Sequence, residues 1–368
     1  MILVKSDQRL CCNVDWLQWT GIARIRKHES KLNYEIYCPE GYRLEIMKGT
    51  SVFRHRAILF DVFGNKVVTV LWSPYSGIHD KRLIMFEVAN MWLYSDELQD
   101  IINLTMQIHP YTYLCPTRID ICLDFELTKF QRRCILNLAK SKYYIAEKEE
   151  GSEFWSGEAD KKFPHCLSFG SKKSAYKWKL YNKSKELGVG TVEPDKPYII
   201  RMWEEFSMDI NRIWRLEVSI TKGNALLIFD KRIELQDMLN GEFVYRLFVT
   251  MYESRFVMRI NQKHTRKSND TVVNFLNLNA APMRTGTPER KNVRKTDEVT
   301  KVLNRLLEQL ESTPMMMHED IWEELGLTIE SIVKRFHLDA YFEKIKGMPV
   351  RDWLELQFSE VGQVLVKK

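Results

Sequence analysis

The sequence predicts an α+β fold, in which a mostly antiparallel sheet with flanking helices is followed by a small helical C-terminal domain. Short segments rich in β-branched and aromatic residues follow one another between residues 34 and 88. Helical apolar spacing occurs between the later strands and dominates after residue 240. A chain of 368 residues suits one large domain plus a smaller one.

The first five predicted strands are separated by turn signals at Gly41, Gly64-Asn65 and Pro74–Gly77. They are residues 34–38, 42–47, 51–60, 66–72 and 82–88. Ser95 is the predicted N-cap of a helix that ends near His109.

The second group of strands surrounds the residues of chemical interest. A strand is predicted at 117–125, followed by a helix from 128 to about 144 and an exposed acidic loop at 147–162. Residues 164–170 and 174–183 are predicted to form a hairpin, and a last strand spans 211–221.

Three domains or segments are expected: a first domain at 1–276, a basic linker at 277–297 and a helical domain at 298–368. The linker contains two prolines, one glycine and few apolar residues, so little of it can be buried. Residues 319–338 have a loose helix-turn-helix pattern around Gly326, which is also common in plain helical bundles.

Positive charge is concentrated in two regions. Residues 161–185 contain eight lysines and no acid, and residues 255–295 contain ten Lys or Arg against Asp270 and Glu289. Such clusters suit a polyanion, although a solvated basic face is the alternative. No apolar run is long enough to span a membrane, and no secretory signal is recognisable, so no membrane partner and a cytoplasmic location are expected.

Strand alternation sorts the side chains of three segments. Asp120, Asp124 and Arg118 share one face of their strand, and Glu217 and Arg215 share one face of theirs. Tyr181 lies on the face of its strand that also carries three lysines, Lys177, Lys179 and Lys183. If these strands belong to one sheet, Asp120, Glu217 and Tyr181 can converge on its polar face.

This combination of residue types suits the strand transfer of a phosphodiester. A phenol can attack phosphorus and conserve the bond energy in a phosphotyrosine. Carboxylates can hold Mg²⁺ or Mn²⁺, which polarises the phosphate. Tyr181 is therefore the candidate nucleophile, and Lys179 and Lys183 are expected to favour its ionised form.

Asp120 and Glu217 are the first candidates for metal ligands, and Asp124 is the second. Side chains at i and i+4 of a strand lie about 13 Å apart, so Asp120 and Asp124 cannot share one ion unless the strand bends. The eight histidines include no His-x-His pair, which argues against nicking enzymes that hold their metal with a histidine pair.

Basic residues beside these motifs or within the two charged regions are the candidate DNA contacts. They are Arg118, Lys172, Lys173, Lys177, Arg215, Arg266, Lys267, Arg290 and Lys291.

The motifs resemble those of the replication initiation factor family, which comprises rolling-circle replication initiators of plasmids and phages and related relaxases. The resemblance covers about residues 13–260. It rests on Asp15-Trp16-Leu17, on Thr117-Arg118-Ile119-Asp120 with Asp124, on Gly170-Ser171 and Ser174 leading to Tyr181-Asn182-Lys183, and on Arg215-Leu216-Glu217.

The resemblance implies a saddle-like catalytic sheet, a Mg²⁺ or Mn²⁺ ion and nicking of one DNA strand at an origin, with a 5′-phosphotyrosine at Tyr181. Origin DNA, as duplex hairpin and single strand, is the expected substrate, and a second copy of the chain and a host helicase are the expected protein partners. Two alternatives remain: a catalytically silent origin-binding protein, or a metal-dependent nuclease in which Tyr181 only stacks on or positions DNA.

Overall fold

The structure is a computed structural model that describes residues 3–5, 9–24, 34–75, 80–145, 152–155, 163–170, 174–191, 194–221, 226–262, 269–278 and 280–286. The chain divides into two compact units, residues 1–75 with 79–288 and residues 76–78 with 289–368. The second unit, and with it the predicted helix-turn-helix segment, lies outside the described residues.

The described part contains one large sheet and several helices, which confirms the predicted α+β class. Its strands are β1 (Leu3–Lys5), β2 (Leu10–Ala23), β3 (Arg43–Lys48), β4 (Phe53–Phe60), β5 (Lys66–Pro74), β6 (Leu83–Val88), β7 (Tyr111–Glu126), β8 (Tyr143–Ile145), β9 (Ser152–Trp155), β10 (Cys166–Phe169), β11 (Tyr176–Asn182), β12 (Ile213–Ile220), β13 (Leu227–Ile228), β14 (Lys231–Arg232), β15 (Met258–Ile260) and β16 (Thr285–Gly286). Its helices are α1 (Asn90–Leu93), α2 (Leu98–Ile108), α3 (Lys129–Ala139), α4 (Lys183–Glu186), α5 (Pro197–Glu205) and α6 (Gly241–Arg255).

The large sheet has eleven strands among the described residues, in the order β3-β4-β5-β6-β2-β7-β12-β11-β10-β9, with β1 paired to β2. Every pairing in it is antiparallel. The long strands β2 and β7 form the centre, and β12 and β11 continue the sheet from β7.

Helix α6 packs on the apolar face of this central region. Trp178 of β11 meets Phe248 of α6 edge to face, with ring centroids 6.0 Å apart. The inward side chains of β7 and β12, such as Ile121 and Val218, are fully buried in the same core. This burial fixes the register, because a shift of one residue would exchange the two faces of each strand.

Helix α5 covers one end of the opposite, polar face. Met202 and Trp203 of α5 form a second buried cluster with Cys11 of β2 and Ile213 of β12. The polar face is therefore sealed at this end.

Several predicted boundaries were wrong for local reasons. Residues 34–39 form no strand, because their backbone turns to the end of α2, where the Tyr37 amide donates to the Ile108 carbonyl. Ser95 closes the turn before α2, and Glu97 is the N-cap. Helix α3 ends at Ala139 instead of residue 144, because Ser141 adopts φ +55° and closes a Schellman motif.

Several elements were not predicted from residue patterns, among them β2, β9 and α5. Strand β2 is the longest of them, and the early Asp-Trp-Leu motif belonged to it. Strand β9 lies within the segment that was predicted as a loop, and α5 lies between the predicted hairpin and the last predicted strand, where no element was assigned. None of the helices in the described part is long and apolar enough to span a membrane.

Candidate active site on the polar sheet face

The three motif strands are neighbours in the order β7-β12-β11, which confirms that they share one sheet. Glu217 lies opposite Cys122 on one side and Lys179 on the other. Tyr181 lies opposite Arg215, and Asp120 lies opposite Ser219. Directly opposed side chains point to the same face of a sheet, so the motif residues share the polar face.

Tyr181 and Glu217 are joined by a hydrogen bond. The phenol Oη donates to Glu217 Oε2 at 3.0 Å. Lys179 Nζ lies 4.0 Å from the other carboxylate oxygen, Oε1, and its side chain is exposed. The nucleophile predicted from the sequence is thus in contact with a predicted carboxylate.

Burial raises the pKa values of both groups of this pair. It raises the pKa of the Tyr181 phenol well above its ordinary value; Arg215 opposes this shift, and the charge of Glu217 adds to it. Burial also raises the pKa of Glu217, with Asp15 acting in the same direction and Arg215 against it. The expectation that the lysines favour an ionised phenol was therefore wrong, since Tyr181 is held as a protonated donor.

Asp120 lies on the neighbouring strand β7 and forms an ion pair with Arg118. The guanidinium donates from Nε to Oδ1 at 3.0 Å and from Nη2 to Oδ2 at 2.5 Å. Trp16, opposite Asp120 on β2, supports the guanidinium, which lies 4.4 Å from the centroid of its ring.

Arg215 is fully buried, so its predicted contact with DNA is corrected to a structural role. It donates to both oxygens of Asp124, from Nε at 2.6 Å and from Nη2 at 2.8 Å. Its Nη1 donates to Asp15 Oδ1 at 2.8 Å, and Nη2 also reaches Tyr94 Oη at 3.0 Å. A guanidinium enclosed by these acceptors has no face left for a phosphate.

Asp124 belongs to the same network, which argues against its candidacy as a metal ligand. Its Oδ2 accepts a further hydrogen bond from Trp203 Nε1 at 2.9 Å, and its side chain is 1% exposed. Both carboxylate oxygens are therefore taken by donors of the protein itself.

Sequence reasoning assigned no role to Asp15, Tyr94, Asn90 and Tyr198, which complete the network. Asp15 occupies a β-bulge between Val14 and Trp16, so it points to the same face as Trp16. It accepts from Tyr94 Oη at 2.5 Å and from Asn90 Nδ2 at 3.2 Å, and Asn90 Oδ1 in turn accepts from Tyr198 Oη at 2.6 Å. The position of Asp15 within the Asp-Trp-Leu motif was the sequence feature that could have indicated its role.

Asp15 is a permanent anion in this setting. Burial by itself raises the pKa of the Asp15 carboxyl, but the charges of Arg215 and Lys183 and the hydrogen bond from Tyr94 outweigh it. The resulting pKa lies well below the ordinary value, so Asp15 balances the charge of Arg215.

Lys183, predicted as catalytic, is buried. Its Nζ pairs with Glu186 at 2.6 Å and lies 5.5 Å from the centroid of the Tyr181 ring. These contacts favour support of the ring over direct contact with a substrate.

Lys177 remains a candidate DNA contact, since it is half-buried on the polar face opposite Ser219. Arg118 and Arg215 are described above, and six basic candidates lie outside the described residues: Lys172, Lys173, Arg266, Lys267, Arg290 and Lys291.

Asp120 and Glu217 offer a limited donor set for a metal ion. Among the described residues, no group of three or more His, Cys, Asp or Glu side chains is placed to hold one. Two carboxylates on neighbouring strands nevertheless fit Mg²⁺, which is commonly held by one or two carboxylates together with water and substrate phosphate.

The solved structures to which this chain is similar include one replication protein. It is the Rolling Circle Replication Initiator Protein from Geobacillus stearothermophilus, with a TM-score of 0.43 and 14% sequence identity. The match covers 72% of this chain and 93% of that chain. This identity is too low to transfer residue roles. No family model matches the sequence, and no curated protein matches it significantly.

Proposed function

We propose that the protein is a site-specific DNA nicking-joining enzyme that initiates rolling-circle replication or mobilisation through a covalent tyrosine intermediate. The hydrogen bond between Tyr181 and Glu217 carries this proposal. It joins a nucleophile of the required type to a carboxylate, on a sheet face that also holds Asp120 and Arg118. The motif order that resembles the replication initiation factor family supports the same assignment.

Tyr181 is the nucleophile in this proposal. Its Oη attacks the scissile phosphorus while the bond from phosphorus to the 3′ oxygen breaks. The phenol proton passes to Glu217 Oε2, which already accepts it in a hydrogen bond. The 3′ oxygen leaves as a hydroxyl after taking up a proton from water, and the 5′ phosphate stays on Tyr181. In rejoining, a 3′ hydroxyl attacks the phosphotyrosine and Tyr181 recovers its proton.

Glu217 is suited to act as the base because both partners are buried. Since the pKa of Tyr181 is raised, the phenol does not ionise by itself near neutral pH. Glu217 Oε2 accepts the phenol hydrogen bond, which leaves Oε1 for the metal ion. Lys179 lies near enough to Glu217 to hold the carboxylate in place.

Asp120, together with Glu217, would hold a Mg²⁺ or Mn²⁺ ion. The ion would supply charge neutralisation at the scissile phosphate. Lys177 and Lys179 lie on the same face and are the described side chains best placed to bind flanking phosphates. Origin DNA is the proposed substrate; a second copy of the chain and a host helicase remain predicted partners.

The covalent intermediate provides the test. Tyr181→Phe removes the nucleophile without changing the ring, so we expect it to abolish the protein-DNA adduct on a denaturing gel while DNA binding stays near that of the wild type. Tyr176→Phe is the matched control, because Tyr176 lies on the same strand but on the other side, opposite Ile220. An adduct that survives in Tyr181→Phe would overturn the assignment.

The same assay separates the two alternatives. Cleavage without an adduct in the wild-type protein would indicate a metal-dependent nuclease. Origin binding with neither cleavage nor adduct would indicate a silent DNA-binding protein.

A further inference from the structure

Arg118 and Arg215 make similar forked contacts with an aspartate on β7, but their surroundings differ. Arg215 is fully buried and bonds to Asp124, Asp15 and Tyr94. The Arg118 side chain is 36% exposed, and Asp120 is the carboxylate that accepts its fork. The first ion pair is sealed within the fold, whereas the second has an open side from which the guanidinium can leave.

The carboxylate of Asp120 can be reached mainly from the side on which Arg118 is exposed. Its own side chain is 4% exposed, and the guanidinium of Arg118 lies across both oxygens. A divalent ion needs lone pairs of the same carboxylate. Because Asp120 is buried and the guanidinium covers its open side, an ion that approaches from that side has to displace at least one of the two hydrogen bonds from Arg118.

We infer that Arg118 competes with the metal ion for Asp120 and, once released, binds a phosphate of the DNA. Before DNA arrives, Arg118 neutralises Asp120 and weakens its affinity for the ion. When the ion takes Asp120, the guanidinium becomes available, and its planar fork matches two phosphate oxygens as it matches two carboxylate oxygens. Metal and DNA binding are thereby coupled through one side chain. The inference rests on the proposed function.

Trp16 limits how far Arg118 has to move in this exchange. Its ring lies under the guanidinium at 4.4 Å and restricts the motion of the long side chain. The guanidinium can stay on this ring while its N–H groups turn from Asp120 to an adjacent phosphate. Arg118 is therefore a positioning residue for the substrate and a competitor of the metal ion.

The test measures Mn²⁺ binding to the full chain without DNA, by the electron paramagnetic resonance signal of free Mn²⁺. Arg118→Gln should tighten Mn²⁺ binding by about tenfold, as expected for the loss of one charge-assisted pair. Arg118→Lys keeps the charge but loses the fork, and it should give a smaller gain. Lys177→Gln is the matched control: it removes one positive charge from the same face but no hydrogen bond to Asp120, and it should change the affinity by less than about threefold.

A second measurement follows the released guanidinium. In the presence of Mn²⁺, Arg118→Gln should bind a thirty-residue oligothymidine more weakly than the wild type. Its log-log dependence of affinity on salt should be less steep by about 0.7, the value for one bound phosphate on single-stranded DNA.

The outcomes separate this inference from the proposed function. If Asp120→Asn leaves Mn²⁺ affinity unchanged, the metal assignment is wrong and this inference fails with it. If Asp120→Asn loses Mn²⁺ while Arg118→Gln binds it no more tightly than the wild type, only the competition is overturned. An equal gain in Lys177→Gln would also overturn it, since the effect would then be one of general charge.

Discussion

At the scale of single residues, the chemistry depends on where one proton resides. Tyr181 holds its proton because burial raises the pKa of the phenol, and it shares that proton with Glu217 in a hydrogen bond. The nearby lysines are paired with carboxylates: Lys179 lies against Glu217, and Lys183 pairs with Glu186. A carboxylate that can accept the proton is therefore as important to the nucleophile as positive charge.

This arrangement predicts how nicking depends on pH. Glu217 must be ionised to accept the phenol proton, and burial raises its pKa above the ordinary value for a glutamate. Single-turnover adduct formation should therefore increase with pH as Glu217 loses its proton and then level off, with a midpoint above the ordinary pKa of a glutamate.

Glu217→Gln should be strongly impaired at every pH and should lack this increase. Binding of the same DNA, measured at each pH, is the control for changes in affinity. An unchanged pH profile in Glu217→Gln would show that another group accepts the proton.

The sequence predicted which strand faces the three candidate side chains occupy, because alternation along a strand is local information. Asp120, Glu217 and Tyr181 could be placed on polar strand faces without knowing the sheet. The contact of Asp15 with Arg215 could not be predicted, because it depends on a bulge and joins residues 200 positions apart. The assignment of Arg215 to DNA failed for the same reason, since burial is decided by elements distant in the chain.

At the scale of elements, the Arg215 network connects the strands of the site. It ties β2 through Asp15, β7 through Asp124 and β12 through Arg215, and Trp203 adds α5. The distances between Tyr181, Glu217 and Asp120 depend on these strands staying in register. The buried ion pairs thus support the site without contacting the substrate.

Replacement of Asp124 should show this support. Asp124→Asn leaves Arg215 buried with one carboxylate partner fewer, so we expect the free energy of unfolding to fall by about 3 kcal/mol. Urea denaturation followed by circular dichroism measures the change.

Asp80→Asn is the matched control, because the pair of Asp80 with Arg82 is exposed and should contribute less than about 1 kcal/mol. Equal effects of the two substitutions would contradict the structural role of the buried network.

Much of the sheet was predictable at this scale because strands β4 to β7 and β10 to β12 carry clear alternation or apolar runs bounded by turn residues. Strand β2 was harder to recognise from the residues, since register shifts interrupt its alternation at Asp15 and near Trp19. Residues 34–38 have the composition of a strand but pair with the end of α2. Composition indicates a preference for extended backbone, whereas a strand also needs a partner strand beside it, and the tertiary fold decides whether one is present.

At the scale of the whole molecule, the first unit extends beyond the predicted boundary at residue 276. Met283 is buried in the main core, and its amide donates to Thr250 Oγ1 at 2.7 Å. Strand β16 pairs with β13. Residues 280–286, which lie within the predicted linker at 277–297, are therefore part of the unit that carries the candidate site.

Two truncations should distinguish these boundaries. A chain ending at Pro288 keeps every described residue, and it should fold and form the adduct with single-stranded origin DNA. It should bind duplex origin DNA more weakly, with a salt slope reduced by about 0.9 for each phosphate that the truncated chain no longer binds.

A chain ending at Asn279 loses Met283 and β16 and should unfold at a lower temperature than the chain ending at Pro288. Thermal unfolding compares the stability of the two truncated chains. Titration of duplex DNA at several salt concentrations compares the affinity and the salt slope of the full chain with those of the chain ending at Pro288. Equal duplex affinity in the full chain and in the chain ending at Pro288 would show that residues 289–368 do not hold DNA.

Mass spectrometry of the wild-type adduct shows whether Tyr181 itself forms the covalent bond with DNA. The full chain is incubated with origin DNA and Mg²⁺ and then digested with trypsin and nuclease. We predict a peptide that contains Tyr181 and carries a 5′-linked nucleotide, with the added mass on the Tyr181 side chain. A nucleotide attached to any other residue, or cleaved DNA without a modified peptide, would contradict the account.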